Sequence, residues 1–157
     1  MTPLTTGIGH VAQATADLDR LTAFYRDVFG AEVSERHEGD PRHCFIRIGA
    51  GTVLHAFEKP EAVRDAGRPW GHGPIDHFTL EAADLDAFVL MRERLARRGC
   101  AAETVTDFGS LVSLHFTDPD GLLLELSLWK TDPWNPPFTA APFRGRAGSG
   151  GSPAPGR

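Results

Sequence analysis

One short pattern occurs twice in this chain, 67 residues apart. Ile8-Gly9-His10-Val11 returns as Ile75-Asp76-His77-Phe78, and each copy runs into Ala-Asp-Leu-Asp, at 16–19 and again at 83–86. A single offset thus carries Ile8 to Ile75, His10 to His77 and a helix-start signal. A shared register of this kind reads as one supersecondary unit used twice. Each unit places a histidine at the same point of its first strand, and a pseudo-twofold arrangement would set the two imidazoles facing each other, a geometry suited to a metal.

The expected elements repeat in the same order. In the first unit, Gly7 to Ala14 reads as a strand and Asp17 stands at an N-cap position. Leu18, Leu21, Phe24, Tyr25, Val28 and Phe29 then recur at helical spacing until Gly30. Strand-like runs follow at Glu32 to Arg36, Cys44 to Ile48 and Thr52 to Phe57, with glycines 39, 49 and 51 between them. In the second unit, Ile75 to Glu81 is the strand. Asp84 caps a helix bearing Leu85, Phe88, Val89, Met91, Leu95 and Ala96, and Gly99 ends it. Strands fall near Ala101 to Thr106, Leu111 to Thr117 and Leu122 to Leu128. The fold class is therefore α+β: two tandem βαβββ modules whose curved mixed sheets enclose a cavity, with the helices outside. The expected boundaries are one domain over 1–130, with modules at about 7–58 and 74–130 and a linker at 59–73. A Pro-rich docking segment at 131–144, carrying Trp134 and Phe138, and a disordered tail at 145–157 complete the chain.

Bulk properties exclude several classes of partner. A net charge of −5 without a long basic run argues against nucleic acid and anionic membranes. No apolar stretch approaches the 18 residues of a membrane span, and Met1 to Gly7 lacks the pattern of a signal peptide, so a cytoplasmic location is expected. Cys44 and Cys100 stand in different units and in no CxxC pattern, which reads as reduced structural thiols.

Strand parity selects the residues that carry chemistry. In the last strand, Leu122, Leu124, Leu126 and Leu128 share one face, and Leu123, Glu125 and Ser127 the other. Glu125 is a lone carboxylate among five leucines, and a buried acid needs a partner or a cation. His55 lies 70 residues before Glu125, close to the offset that links the first strands. Extending the repeat therefore gives a ring of four positions: His10, His77, His55 and Glu125. Two histidines and a carboxylate suit Fe(II) or a similar divalent ion with open positions, whereas a fourth ligand favours Zn, Ni, Co or Mn chemistry. His115 faces inward on the same parity. Phe57, Thr79, Ser113 and Ser127 share those inward faces and are expected to line a substrate site.

The chain resembles the vicinal oxygen chelate superfamily, the glyoxalase, bleomycin-resistance and extradiol-dioxygenase group, over roughly Gly7 to Trp129. The resemblance rests on IleGlyHisVal at 8–11, IleAspHisPhe at 75–78 and, most specifically, PheThrAspProAspGlyLeuLeuLeuGluLeu at 116–126, where AspProAspGly makes the final hairpin turn. It implies that His10, His77 and Glu125 bind a divalent metal. His55 stands where many isomerase-type members carry Glu or Gln, and His115 where a substrate-binding tyrosine is common. His55 is thus open to three roles: ligand, acid–base group or simple lining. His115 is open to the second and third. The resemblance also implies a homodimer.

Other residues have plainer readings. The two AspLeuAsp runs are accounted for as helix caps. His37 and His72 read as solvated, the phase of His43 is not fixed by its neighbours, and Trp70, Trp129 and Trp134 read as core or interface. Three functions follow. The first is a metal-dependent isomerase, lyase or epimerase of glyoxalase type, acting on a small substrate held through adjacent oxygens, with His55 or His115 moving the proton. The second is an Fe(II) extradiol-type dioxygenase, and the third a non-catalytic protein that sequesters a drug or metabolite.

Overall fold

The computed structural model describes residues 5, 7–62, 75–101 and 104–130. The linker beyond Ala62, with Trp70 and His72, and the segments expected at 131–144 and 145–157 lie outside the described residues. The chain divides into two compact units, residues 1–76 with 117–122, and residues 77–116 with 123–157.

The first unit runs β1 (Val11–Thr15), α1 (Leu18–Phe29), β2 (Glu32–Val33), β3 (His43–Arg47) and β4 (Val53–Glu58), followed by a 3-10 turn at Pro60–Ala62. The second runs β5 (Phe78–Glu81), α2 (Leu85–Arg97), β6 (Thr106–Asp107), β7 (Leu111–Thr117) and β8 (Leu123–Trp129). Each unit is βαβββ with one open four-stranded sheet, ordered β1-β4-β3-β2 in the first and β5-β8-β7-β6 in the second. The first and last strands of each unit pair in parallel, Ala12 beside His55 and Thr79 beside Glu125. The fold is α+β with mixed sheets. No helix among the described residues is long and apolar enough to cross a membrane.

Local chemistry explains the helices. Asp17 is extended and its side chain accepts from the Arg20 N–H, while Asp84 does the same for Ala87. Gly30 closes α1 in the left-handed conformation, at φ 69°. Leu18, Leu21, Phe24, Tyr25 and Val28 are buried along α1, but only Phe88 and Leu95 along α2. Leu85 and Ala96, expected on the inner face of α2, are exposed because they fall off its Phe88–Leu95 stripe.

The strands differ from expectation mainly where they begin. β1 starts at Val11 rather than Gly7, and β5 at Phe78 rather than Ile75. The partner strands set those limits: β4 begins at Val53 and β8 at Leu123, so earlier residues have no parallel ladder to join. Ile8 and Ile75 are consequently exposed, and His10 and His77 stand just ahead of their strands. The run expected at Glu32 to Arg36 pairs only over Glu32–Val33, and resumes as an isolated bridge between His37 and His43. The run expected at Ala101 to Thr106 reduces to a bridge from Ala101 to Phe116 and the two residues of β6. Neither Cys44 nor Cys100 forms a disulfide.

Asp17→Ala removes one cap bond and should lower stability in urea unfolding by about 1 kcal/mol. Leu126→Ala, at a fully buried position, should cost about 2–5 kcal/mol. Equal losses from the two would contradict the assignment of β8 to the core.

Candidate metal centre and histidine-lined face

In the second unit the site grows out of β8. Leu124 and Leu126 are fully buried, so alternation turns Glu125 to the opposite face, where it is half-buried. On one side, in-register Thr79 donates its hydroxyl to Glu125 Oε2 at 2.6 Å. His77, two residues earlier in the chain, brings Nε2 to 3.1 Å from the same oxygen. On the other side, the Asp118 N–H bonds Leu122 C=O and the Lys130 N–H bonds Ser110 C=O. That register places His115 opposite Glu125. The His77 and His115 rings meet edge to face with centroids 5.2 Å apart. One donor atom each from His77, His115 and Glu125 lies within 4.8 Å of the others, a spacing open to a metal ion.

Burial pushes the Glu125 carboxyl up, but the Ser113 hydroxyl, Thr79 and His77 outweigh it and hold it below the usual carboxylate range. Ser113 is fully buried and faces the carboxylate without full hydrogen-bond geometry. Ser127, also on this face of β8, is buried as well. Two imidazoles and an ionised carboxylate form a donor set that fits a borderline divalent ion such as Fe, Mn, Co, Ni or Zn.

In the first unit, His55 stands at the middle of β4 between Ala12 of β1 and Phe45 of β3. Its ring packs against Phe57 at 4.0 Å and Phe45 at 4.1 Å, with His43 at 5.2 Å and His10 at 5.6 Å. His55 Nε2 is buried with no hydrogen-bond partner among the described residues. Burial pushes the His55 imidazole below its ordinary value, and neighbouring His43 and His10 push it the same way. A cavity of about 440 Å³ opens beside this face, lined by Gly9, His10, Val33, Phe45, Arg47, Val53 and two polar neighbours.

Within each unit the residues of the expected ring adjoin one another. His77 and Glu125 touch each other with His115 beside them, while His10 and His55 adjoin in the first unit. Phe57 backs His55, and Thr79 holds Glu125. Parity from the single neighbours of His43 does not fix its phase, but Cys44 and Ile46 are both buried and so turn His43 and Phe45 to the His55 face. His43 Nδ1 lies 3.2 Å from the Pro41 carbonyl and must carry the proton to donate to it. His37 is exposed, as expected, with its ring 4.6 Å from that of His43 and its backbone bridged to it.

Two βαβββ units, each with a histidine heading its first strand and parallel pairing of first with last strand, define a duplicated-module α+β protein. The chain belongs to the Glyoxalase/Bleomycin resistance protein/Dioxygenase superfamily, which matches residues 7–126. It is 28% identical to the mitochondrial methylmalonyl-CoA epimerase of Mus musculus over 76% of this chain and 71% of that protein. It is 27% identical to the biphenyl-2,3-diol 1,2-dioxygenase of Paraburkholderia xenovorans over 76% of this chain but only 40% of that protein. Among solved structures, a glyoxylase/bleomycin resistance protein/dioxygenase domain from Frankia sp. superposes with a TM-score of 0.70 at 23% identity, covering 80% of this chain and 93% of the other.

Because the folded carboxyl of Glu125 is depressed, it stabilises the fold above the unfolded carboxylate value, and that contribution is lost as pH falls through the folded value. In metal-free protein, Thr79→Val should raise the Glu125 pKa, read by carboxyl 13C NMR, and reduce the stability lost below the unfolded carboxylate value, because the folded value then lies closer to it. An unmoved titration would show that the Thr79 bond does not hold the carboxylate.

Proposed function

We propose that this protein is a divalent-metal-dependent enzyme acting on a small substrate that presents adjacent oxygens, with proton-transfer chemistry of the epimerase or isomerase type. The observation that carries this reading is the convergence of His77, His115 and Glu125 donors within 4.8 Å. We assign His77 and Glu125 as two ligands, on which repeat register and geometry agree. The third is an imidazole, either His115 inside this cluster or His10, which the family resemblance supplies. These residues would hold a divalent ion, which would supply Lewis-acid chemistry to a substrate oxygen next to the carbon that loses its proton. His55 fits the proton acceptor: burial and its ring neighbours favour the neutral imidazole, and its Nε2 has no competing partner among the described residues. Phe57 and Phe45 hold that ring in place, and Thr79 with Ser113 keeps Glu125 ionised. Similarity to a methylmalonyl-CoA epimerase supports an acyl-thioester substrate. The protein is further proposed to act as a cytoplasmic homodimer.

A second reading, extradiol-type oxygen chemistry on Fe(II), is favoured by the two-histidine, one-carboxylate composition of the cluster and by similarity to a biphenyl-diol dioxygenase.

Two measurements test the proposal. In cobalt(II) titrations, His77→Ala and Glu125→Gln should each weaken binding at least as much as the roughly 100-fold that loss of an outer partner can cost. His55→Ala should leave affinity nearly unchanged, and the larger loss between His10→Ala and His115→Ala identifies the third ligand. With metal-loaded enzyme in D2O, methylmalonyl-CoA should take up deuterium next to its carbonyl, and His55→Ala should abolish uptake. Oxygen consumption on a catechol without any such exchange would overturn the epimerase reading in favour of the dioxygenase.

A further inference from the structure

The turn between β7 and β8 is bonded more heavily than a hairpin turn requires. Asp118 Oδ1 accepts from the Asp120 and Leu122 N–H groups, both at 2.9 Å, and Gly121 adopts φ 83°, which closes the turn locally. The remaining carboxylate oxygens go to residues about a hundred positions earlier in the chain. Asp118 Oδ2 accepts from Gln13 Nε2, and Asp120 Oδ2 from the Thr15 hydroxyl. Asp120 Oδ1 accepts from the Ala16 N–H at 3.1 Å and from Arg20 at 2.6 Å. Asp118 is only 4% exposed and Thr15 fully buried, so these polar groups are out of water. Such groups are costly to bury unless each is satisfied.

The repeat supplies the control. At the 67-residue offset, Gln13 and Thr15 correspond to Leu80 and Ala82. At the 70-residue offset that relates His55 to Glu125, Asp118 and Asp120 correspond to Ile48 and Ala50. The turn leading to His55 therefore has no carboxylates, and Leu80 in β5 and Ala82 just after it are apolar where β1 carries Gln13 and Thr15. Polarity has been placed in one strand and one turn only, the turn that precedes Glu125. His115 lies three residues before Asp118 and Glu125 three after Leu122, so the register closed at this turn is what sets them opposite each other. Slippage by one residue would send Glu125 to the leucine face.

We propose that Asp118 and Asp120 are positioning residues for the His115–Glu125 pair, and that Gln13, Thr15 and Arg20 hold them in that role. The catalytic consequence rests on the proposed metal site, but the positioning itself can be read without metal. The test is the double variant Gln13→Leu/Thr15→Ala, which gives β1 the residues found at 80 and 82, beside Thr15→Ser, which keeps the hydroxyl. In the metal-free full-length protein, the double variant should shift the His115 and His77 imidazole 15N resonances. It should also lower amide protection across 113–116 and 124–127 about tenfold relative to β3 and β4, with Thr15→Ser close to wild type. Cobalt(II) affinity should fall about tenfold, as for other outer-partner losses. If the double variant does not fold, Thr15→Val provides the same readouts. A folded variant with unmoved imidazole resonances and unchanged protection overturns the proposal. A wild-type protein that takes no cobalt(II) overturns the metal reading instead, and leaves the imidazole result to decide this one.

Discussion

The second unit depends on the alternation of β8. Leu124 and Leu126 are completely withdrawn from solvent, and the strand period of two then leaves Glu125 a single face to occupy. The parallel partner fixes the rest: Thr79 sits beside Glu125 in register, and a hydroxyl there is the donor that a half-buried carboxylate needs. Hydrophobic burial on one face thus determines the electrostatics on the other. The strand cannot expose its leucines without turning its acid inward, unpartnered.

The two units apply the same backbone plan to different chemistry. Where the second unit has a carboxylate bonded by hydroxyl and imidazole, the first has an imidazole packed among Phe45, Phe57, His43 and His10. The surroundings shift the two groups in ways that suit their residue types. Hydrogen bonds hold the Glu125 carboxyl below its ordinary value, and burial with neighbouring His43 and His10 pushes the His55 imidazole below its own. One repeated scaffold thus carries a carboxylate in the second unit and an imidazole at the corresponding place in the first. The superfamily match over residues 7–126 is consistent with this, since it spans both units.

Much of this was legible in the residues. The Asp17 and Asp84 caps, the Gly30 stop and the leucine alternation of β8 act locally, so they can be read from short windows. What was not legible depends on partners distant in sequence. β1 and β5 begin where β4 and β8 provide a ladder, and no feature of Gly7 to His10 announces that. The alignment of His115 with Glu125 comes from backbone bonds at both ends of a hairpin, and the pairing of Asp118 with Gln13 spans over a hundred residues. The AspProAspGly run reads as a turn, and nothing local shows that its carboxylates are held by β1. The expected ring of four came from strand parity and repeat register; the grouping of His115 with His77 and Glu125 comes from cross-strand register within one sheet, which the repeat does not show.

The central claim is that His77 and Glu125 form the heart of a divalent-metal site. Its most direct test is anomalous diffraction from crystals of the full chain grown with manganese(II) or zinc(II), with data collected at the metal absorption edge. The account predicts a single strong peak within bonding reach of His77 and Glu125 Oε2, with an imidazole as third neighbour. A peak placed elsewhere, or bound metal that leaves the His77–Glu125 contact intact and uncoordinated, would contradict it.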